Sequence, residues 1–241
     1  MQIIRLFLTL TIAVTVSGCG VRDVLTRNAT LDPALASSEA LPEGYMRVGD
    51  AKGPPPVQSI LQTNPDAAAN GSPFAVNSIK VVVPRTLVVS EENGYLPKGD
   101  IVWREDPFGD RHAQVQEIVQ AAMDRGVSDL NGPVPVNITV QVVKFHALTK
   151  KARYTTGGVH ALTFLLAVYD AETGKPVGPA RKVRSDLAAL GGTQAIMAEA
   201  RGVTQKVRIT GHLAEVIRQE LTYPDGYESS TRSMIQAMNY L

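Results

Sequence analysis

The densest group of potentially reactive side chains lies in one stretch from Trp103 to His112, Trp-Arg-Glu-Asp-Pro-Phe-Gly-Asp-Arg-His. Carboxylates beside an imidazole are the groups that acid/base catalysis or a hard metal ion requires, and Asp106, Asp110 and His112 are the candidates. A structural interpretation explains the same residues. Asp110 would cap a helix and Asp106 would stabilise the preceding turn. Arg104 would pair with a carboxylate, and Trp103 would anchor the loop.

We favour that structural interpretation over both functional ones for this stretch. Asp110 and His112 are two residues apart, so they do not share a face of the helix that follows. Of the functional alternatives, recognition of a partner is preferred to catalysis. The candidate contact residues of the loop are Trp103, Arg104, Asp106 and Asp110.

Other catalytic and cofactor signatures are missing from the sequence. The Gly-Val-Ser sequence at 126–128 does not continue as a hydrolase nucleophile elbow, and Gly174-Lys175 lacks the upstream glycine of a P-loop. His112 and His212 lack the Glu-x-x-His continuation of a zinc protease helix, and no EF-hand loop is present. We therefore expect no enzymatic activity, no cofactor and no metal site.

Positive charge is concentrated between Lys144 and Arg184, where eight lysines and arginines face only Asp170 and Glu172. Such a patch attracts phospholipid headgroups, lipopolysaccharide phosphates or an acidic protein surface. The interpretation that we favour is a solvated strand face on which lysine protects an edge from aggregation. The candidate partner- or anion-binding residues are Lys144, His146, Lys150, Lys151, Arg153, Lys182 and Arg184.

The only cysteine, Cys19, follows a sequence typical of a secretion signal. Arg5 gives a weakly positive start, an apolar run of roughly 11 residues extends over 6–16, and the small residues Ser17 and Gly18 follow. The run is too short to cross a bilayer as a helix, which needs about 20 residues. Residues 1–18 are therefore predicted to be a signal peptide.

The sequence Val16-Ser17-Gly18-Cys19 matches the lipobox of bacterial lipoproteins position by position, and the chain resembles that class of protein. The resemblance implies that the Cys19 thiol is acylated, that the chain is cut before it, and that the new amine is usually acylated too. Two or more acyl chains anchor a protein stably. Gly20 in place of Asp favours the outer over the inner membrane by the sorting rule of enteric bacteria. We expect a lipid-anchored envelope protein with its folded part in the periplasm.

Charge and cysteine content exclude further classes of protein. A mature chain whose only cysteine is lipidated has no disulfide framework and no cysteine-based metal site. Removal of the signal peptide takes the formal net charge of +1 to about zero, so no global field suits nucleic acid. No nucleic-acid partner is expected, and the oligomeric state stays open.

Residues 19–77 are predicted to be the lipidated N-terminus and a flexible tether. Residues 20–77 show no sustained period and hold seven of the fifteen prolines, including Pro54-Pro55-Pro56. Such a stretch buries too little apolar surface to offset the entropy of ordering it. As a coil of roughly 58 residues it would span about 40 Å. The alternative is that part of it wraps the domain as an ordered strap, with 44–48 docked.

Residues 78–224 carry the patterns of one α+β domain. Apolar, β-branched runs at 79–83, 87–89 and 101–103 predict strands, and Asn93-Gly94 predicts a hairpin-type turn. Strands are also predicted at 136–146, 159–170 and 181–187, the second of them central because it is apolar on both faces. The alternation of 136–146 slips by one residue at Val143, which indicates a β-bulge.

Two helices are predicted. The first begins after Asp110, a good N-cap, and Gly126 stands where its C′ residue belongs. The second covers about 203–221. Its apolar stripe is Val203, Val207, Ala214, Ile217 and Leu221.

This order of elements predicts an α+β two-layer sandwich, an antiparallel sheet meander with two helices packed on one face, preceded by a disordered proline-rich tether. A tail at 225–241 would follow, containing a short amphipathic helix that we expect to dock on its own domain. The apolar face of that helix is Met234, Ala237, Met238 and Leu241.

The lipobox, the tether and the stretches 101–116 and 154–164 together resemble an uncharacterised family of alphaproteobacterial lipoproteins. That family brings no established activity, so it implies no residue roles. The leading hypothesis is a non-catalytic accessory lipoprotein, anchored to the membrane, that binds an envelope protein or an anionic lipid. The alternatives are a structural subunit of an oligomeric export or surface assembly and, third, a cell-envelope hydrolase.

Overall fold

The computed structural model describes residues 71–229. The signal peptide, Cys19, the tether up to residue 70 and the amphipathic segment at 230–241 lie outside the described residues. Within them lie six strands: β1 Phe74–Val82, β2 Ile101–Val102, β3 Val134–His146, β4 Gly158–Asp170, β5 Arg181–Arg184 and β6 Leu187–Ala189. They are joined by four helices: α1 Arg111–Val127, α2 Lys150–Arg153, α3 Gly192–Ala200 and α4 Gln205–Thr222.

The strands form one mixed, mostly antiparallel sheet. β3, β4 and β5 are antiparallel neighbours, and β6 also pairs with β4, which confirms the predicted meander with β4 at its centre. β1 and β2 pair with the other edge of β3 and run parallel to it. The parallel pairing follows from the crossover through α1, since parallel strands cannot be joined by a tight turn. The α+β class is therefore confirmed.

The two long helices, α1 and α4, cover one face of the sheet. Their apolar residues and the inward residues of β3 and β4 belong to a single hydrophobic core. Asp110 caps α1 as predicted, because its side chain accepts the Ala113 N–H. Gly126 is not the C′ residue: it lies inside α1, buried where the helix crosses α4 at Ala214 and Ile217.

Several predicted element boundaries are different in the structure. β1 begins at Phe74, a fully buried residue four positions before Ser78. The 87–89 run forms only one bridge, from Val89 to Ile101, and Asn93-Gly94 bends without a hairpin. α3 had no counterpart among the predicted elements.

The predicted apolar stripe of the last helix was partly wrong. Val203 and Val207 are 40% and 53% exposed, whereas Ile209, Leu213 and Val216 are buried. Val203 lies before α4, which begins at Gln205. Val207 lies on the side of α4 opposite to the buried Ile209, Leu213 and Val216. None of the helices within 71–229 is long and apolar enough to cross a membrane.

Candidate functional site

The β-bulge at Val143 decides which side chains of β3 reach each face of the sheet. The register of β3 on β4 shifts between Val142 and Lys144, which confirms the predicted slip. Without the extra residue, strict alternation would point Lys144 into the core behind Val142. With it, Phe145 is buried in an edge-on contact with Trp103, at 5.8 Å between ring centroids. Lys144 therefore lies on the opposite face.

That opposite face, which we call the open sheet face, carries side chains outside the core cluster that the helices cover. Gln141, Leu165 and Ala167 in its middle are buried, and its cations lie around them. Strand register places the side chains of this face in three cross-strand rows on β1, β3, β4 and β5. The rows are Lys80–Thr139–Ala167, Val82–Gln141–Leu165–Lys182 and Lys144–Thr163–Arg184. All the charges in these rows are positive.

The open sheet face is a compact cationic surface. Lys80, Lys182 and Arg184 are exposed and Lys144 is half-buried. Among residues 71–229, none of the four forms an ion pair with a carboxylate. Lys144 and Arg184 flank Thr163 from the two neighbouring strands, so their Cα atoms are about 10 Å apart. Lys144, Lys182 and Arg184 thus lie within reach of one multivalent anion.

His146 lies at the same end of β3 but is not one of the cations of the open sheet face. Its Nε2 donates to the Gly99 carbonyl oxygen at 2.9 Å. Burial, followed by the positive charge of Lys144, lowers the pKa of the imidazole. The lowered pKa favours the neutral imidazole, so His146 adds less positive charge here than a fully exposed histidine would.

The other predicted basic residues lie on α2, after the end of β3. Lys150 and Lys151 are exposed, and the Lys151 ammonium lies 4.7 Å from the centre of the Tyr95 ring. Arg153 was wrongly expected on the surface: only 4% of it is exposed. Its guanidinium pairs with Glu105 at 2.5 Å and Glu199 at 3.4 Å, because the single turn of α2 directs it inward.

The first residue of the loop after β2, Trp103, has a structural role. Trp103 is fully buried, so the prediction that it contacts a partner was wrong. Its indole N–H donates to Asp106 at 2.7 Å, and the same carboxylate receives the Lys206 ammonium at 3.1 Å. Arg104 pairs with Glu91, as a structural role requires.

Glu105, which sequence reasoning missed, caps α4. Its carboxylate accepts the backbone N–H groups of Gln205 at 2.8 Å and Lys206 at 3.1 Å. An anion at a helix N-terminus satisfies unpaired amides and opposes the positive end of the helix dipole. The cap spans 100 positions of sequence, so no local signal identifies it.

The side chains of Asp110 and His112 also make structural contacts. Asp110 pairs with Arg85 at 2.8 Å, and this hydrogen bond, together with the Ala113 N–H, lowers the pKa of the carboxyl group to about 2. The His112 Nε2 donates to the Leu87 carbonyl oxygen at 3.0 Å. Within residues 71–229, no group of three or more histidine, cysteine or acidic residues is arranged to hold a metal ion.

Two solved structures with which the chain shares similarity are remote from it. A Caulobacter crescentus protein described as a "putative lipoprotein" is 13% identical, with a TM-score of 0.28, covering 44% of this chain and 80% of its own. A Xanthomonas campestris protein of family DUF330 is 10% identical, with a TM-score of 0.37. The similarity covers 63% of this chain and 84% of that protein. These scores carry no argument about function. No curated protein matches the chain significantly.

A family model does match the chain, over residues 74–237. The match begins at the first residue of β1 and includes every strand and helix of the sandwich. The predicted resemblance to a family without an established activity is thereby confirmed. The chain belongs to the family of unknown function DUF6778.

Proposed function

We propose that this protein is a lipid-anchored, non-catalytic accessory lipoprotein of the bacterial envelope that binds an anionic partner through its open sheet face. The partner is an acidic envelope protein or an anionic lipid, which present the same chemistry to the lysines. One observation carries the proposal: four cations share a face on which the cross-strand rows hold no carboxylate.

The anchor is supported by the sequence. A secretion signal ending in Val-Ser-Gly-Cys places Cys19 at the position where bacterial lipoproteins are acylated. A tether that keeps the domain near one membrane raises the effective concentration of any partner there. A surface of modest intrinsic affinity is then sufficient for binding.

The charge of the open sheet face is large enough to matter. A lysine or arginine near an anionic lipid surface contributes about 1 kcal/mol. Lys80, Lys144, Lys182 and Arg184 together would contribute about 4 kcal/mol, or roughly a 1000-fold increase in binding at low salt. Because the attraction is electrostatic, added salt weakens it progressively. At physiological ionic strength charges are screened beyond a Debye length of about 8 Å.

The non-catalytic part of the proposal is supported by the use of the polar loop. Asp106 holds Trp103 and Lys206, and Asp110 caps α1 while pairing with Arg85. A catalytic carboxyl group usually needs a pKa near the working pH, yet Arg85 and a backbone N–H hold the pKa of Asp110 at about 2. It is unsuited to proton transfer at neutral pH.

Affinity purification of the tagged, full-length lipoprotein from crosslinked membranes tests the proposal, with bound proteins and lipids identified by mass spectrometry. A triple variant, Lys144→Glu, Lys182→Glu and Arg184→Glu, reverses the sign of the open-face charge and leaves Lys80 in place. The control, Lys150→Glu and Lys151→Glu, reverses the charge of two exposed lysines on α2, off the open sheet face. The proposal requires a stoichiometric partner that the triple variant loses and the control keeps. Retention of every partner by a folded triple variant would refute it.

A further inference from the structure

Three unpaired polar atoms belong to residues that line a single small cavity beneath α3. The atoms are Arg153 Nε, His160 Nε2 and Gln205 Oε1, and none has a hydrogen-bond partner among the described residues. The three residues are 4%, 0% and 7% exposed. Unpaired buried polar groups cost about 1–3 kcal/mol each, so three around one cavity call for a ligand.

The donor and acceptor roles of these atoms follow from their chemistry and, for His160, from a second contact of the ring. His160 Nδ1 accepts the Leu148 N–H at 3.3 Å, so the neutral ring carries its hydrogen on Nε2. Arg153 Nε is always a donor, whereas Gln205 Oε1 is an acceptor. The cavity therefore offers two donors and one acceptor to whatever occupies it.

The size of the cavity limits the occupant. Its volume is about 10 Å³, which is at the lower limit for one water molecule. The wall beneath α3 is formed by Ala195 and Ala198, whose small side chains leave this space unfilled. No organic ligand fits without displacement of the helix.

The donor set distinguishes water from a halide or another anion. An anion would accept from Arg153 and His160 and would be attracted by Arg208, which also lines the cavity, but the Gln205 carbonyl oxygen would repel it. The Arg153 charge is also already matched by Glu105 and Glu199. Water accepts two hydrogen bonds and donates the third, which satisfies all three atoms.

We infer that one ordered water molecule occupies this cavity and bridges Arg153, His160 and Gln205. The water joins α2, β4 and α4 through hydrogen bonds under the cover of α3. It thereby completes the polar network that Glu105 begins at the N-terminus of α4. This inference does not depend on the proposed function.

A crystal structure of the full chain carrying Cys19→Ser, at atomic resolution, tests the inference directly. We expect a water peak within about 2.7–3.2 Å of all three atoms. Gln205→Glu keeps an acceptor and should keep the peak, whereas Gln205→Leu removes the acceptor and should lose it. An empty cavity whose side chains pair with one another, or a halide in place of water, would overturn the inference.

Nuclear magnetic resonance provides a second measurement that needs neither crystals nor the Gln205 variants. The His160 ring hydrogen should be observed on Nε2 and should exchange magnetisation with a long-lived water molecule. A hydrogen on Nδ1, or an Nε2 hydrogen without a water contact, contradicts the bridging role.

Discussion

Gly126 allows a quantitative test of the packing between α1 and α4. A Cβ added at this position would lie under 3.0 Å from both the Ala214 carbonyl oxygen and the Ile217 side chain. Real Cβ atoms essentially never approach so closely, and the first of these neighbours is backbone that no rotamer change can remove. Gly126→Ala must therefore move the two helices apart.

The expected effect is the difference between two opposing contributions. Alanine is favoured over glycine in a helix interior by about 0.5–1 kcal/mol. Overpacking of a dense core costs about 1–3 kcal/mol, and more where backbone must shift. We expect Gly126→Ala to lower the free energy of unfolding by about 2 kcal/mol.

Gly211→Ala is the matched control on the partner helix. A Cβ there meets no heavy atom within 4 Å, so only the helix preference remains. This variant should raise the free energy of unfolding by about 0.5–1 kcal/mol. Urea titration followed by the fluorescence of Trp103, the only tryptophan and fully buried, measures both. Equal stabilisation by both alanines, with unchanged denaturant dependence, would refute the close helix contact.

Further predictions concern charged and titrating groups. Glu105→Gln should lower the free energy of unfolding by about 3 kcal/mol, because it breaks a buried ion pair and weakens a helix cap; the exposed Glu117→Gln is its control, expected within about 0.5 kcal/mol of wild type. The pKa of Asp110, about 2 in the folded chain, should rise in Arg85→Ala when followed by magnetic resonance, and the stability that Asp110 provides should be lost as pH falls from about 4 through 2. Burial lowers the pKa of His160 to about 3, so below about pH 6.5 the unfolded chain takes up a proton that the folded one does not. His160 alone should then reduce stability by about 1.4 kcal/mol per pH unit down to about pH 3, and His160→Gln should remove that slope.

Local signals in the sequence predicted the features that depend on neighbouring residues. The Asp110 cap requires only the amide three residues later, and the slip at Val143 is visible in the alternation of a single strand. The apolar run of β4 identified the central strand in the same way. These patterns record which face of one element is buried, which is sufficient for the α+β class.

Features that depend on distant contacts could not be read from the sequence. Gly126 resembles a helix terminator until α4 is placed against it. Arg153 stands beside two exposed lysines, and only Glu105 and Glu199 explain its burial. The open sheet face likewise combines Lys80 on β1 with residues of β3 and β5, and only the sheet order brings them together.

The most direct test of the open sheet face is site-specific photocrosslinking in cells. A photoreactive residue replaces Thr163, which lies between Lys144 and Arg184 in its cross-strand row. The control position for the crosslinker is Val207, an exposed residue of α4 in the helical layer. We predict a defined crosslinked partner at 163 that disappears with Lys182→Glu and Arg184→Glu, and none at 207. No product at 163, or a product that survives both charge reversals, would contradict the account.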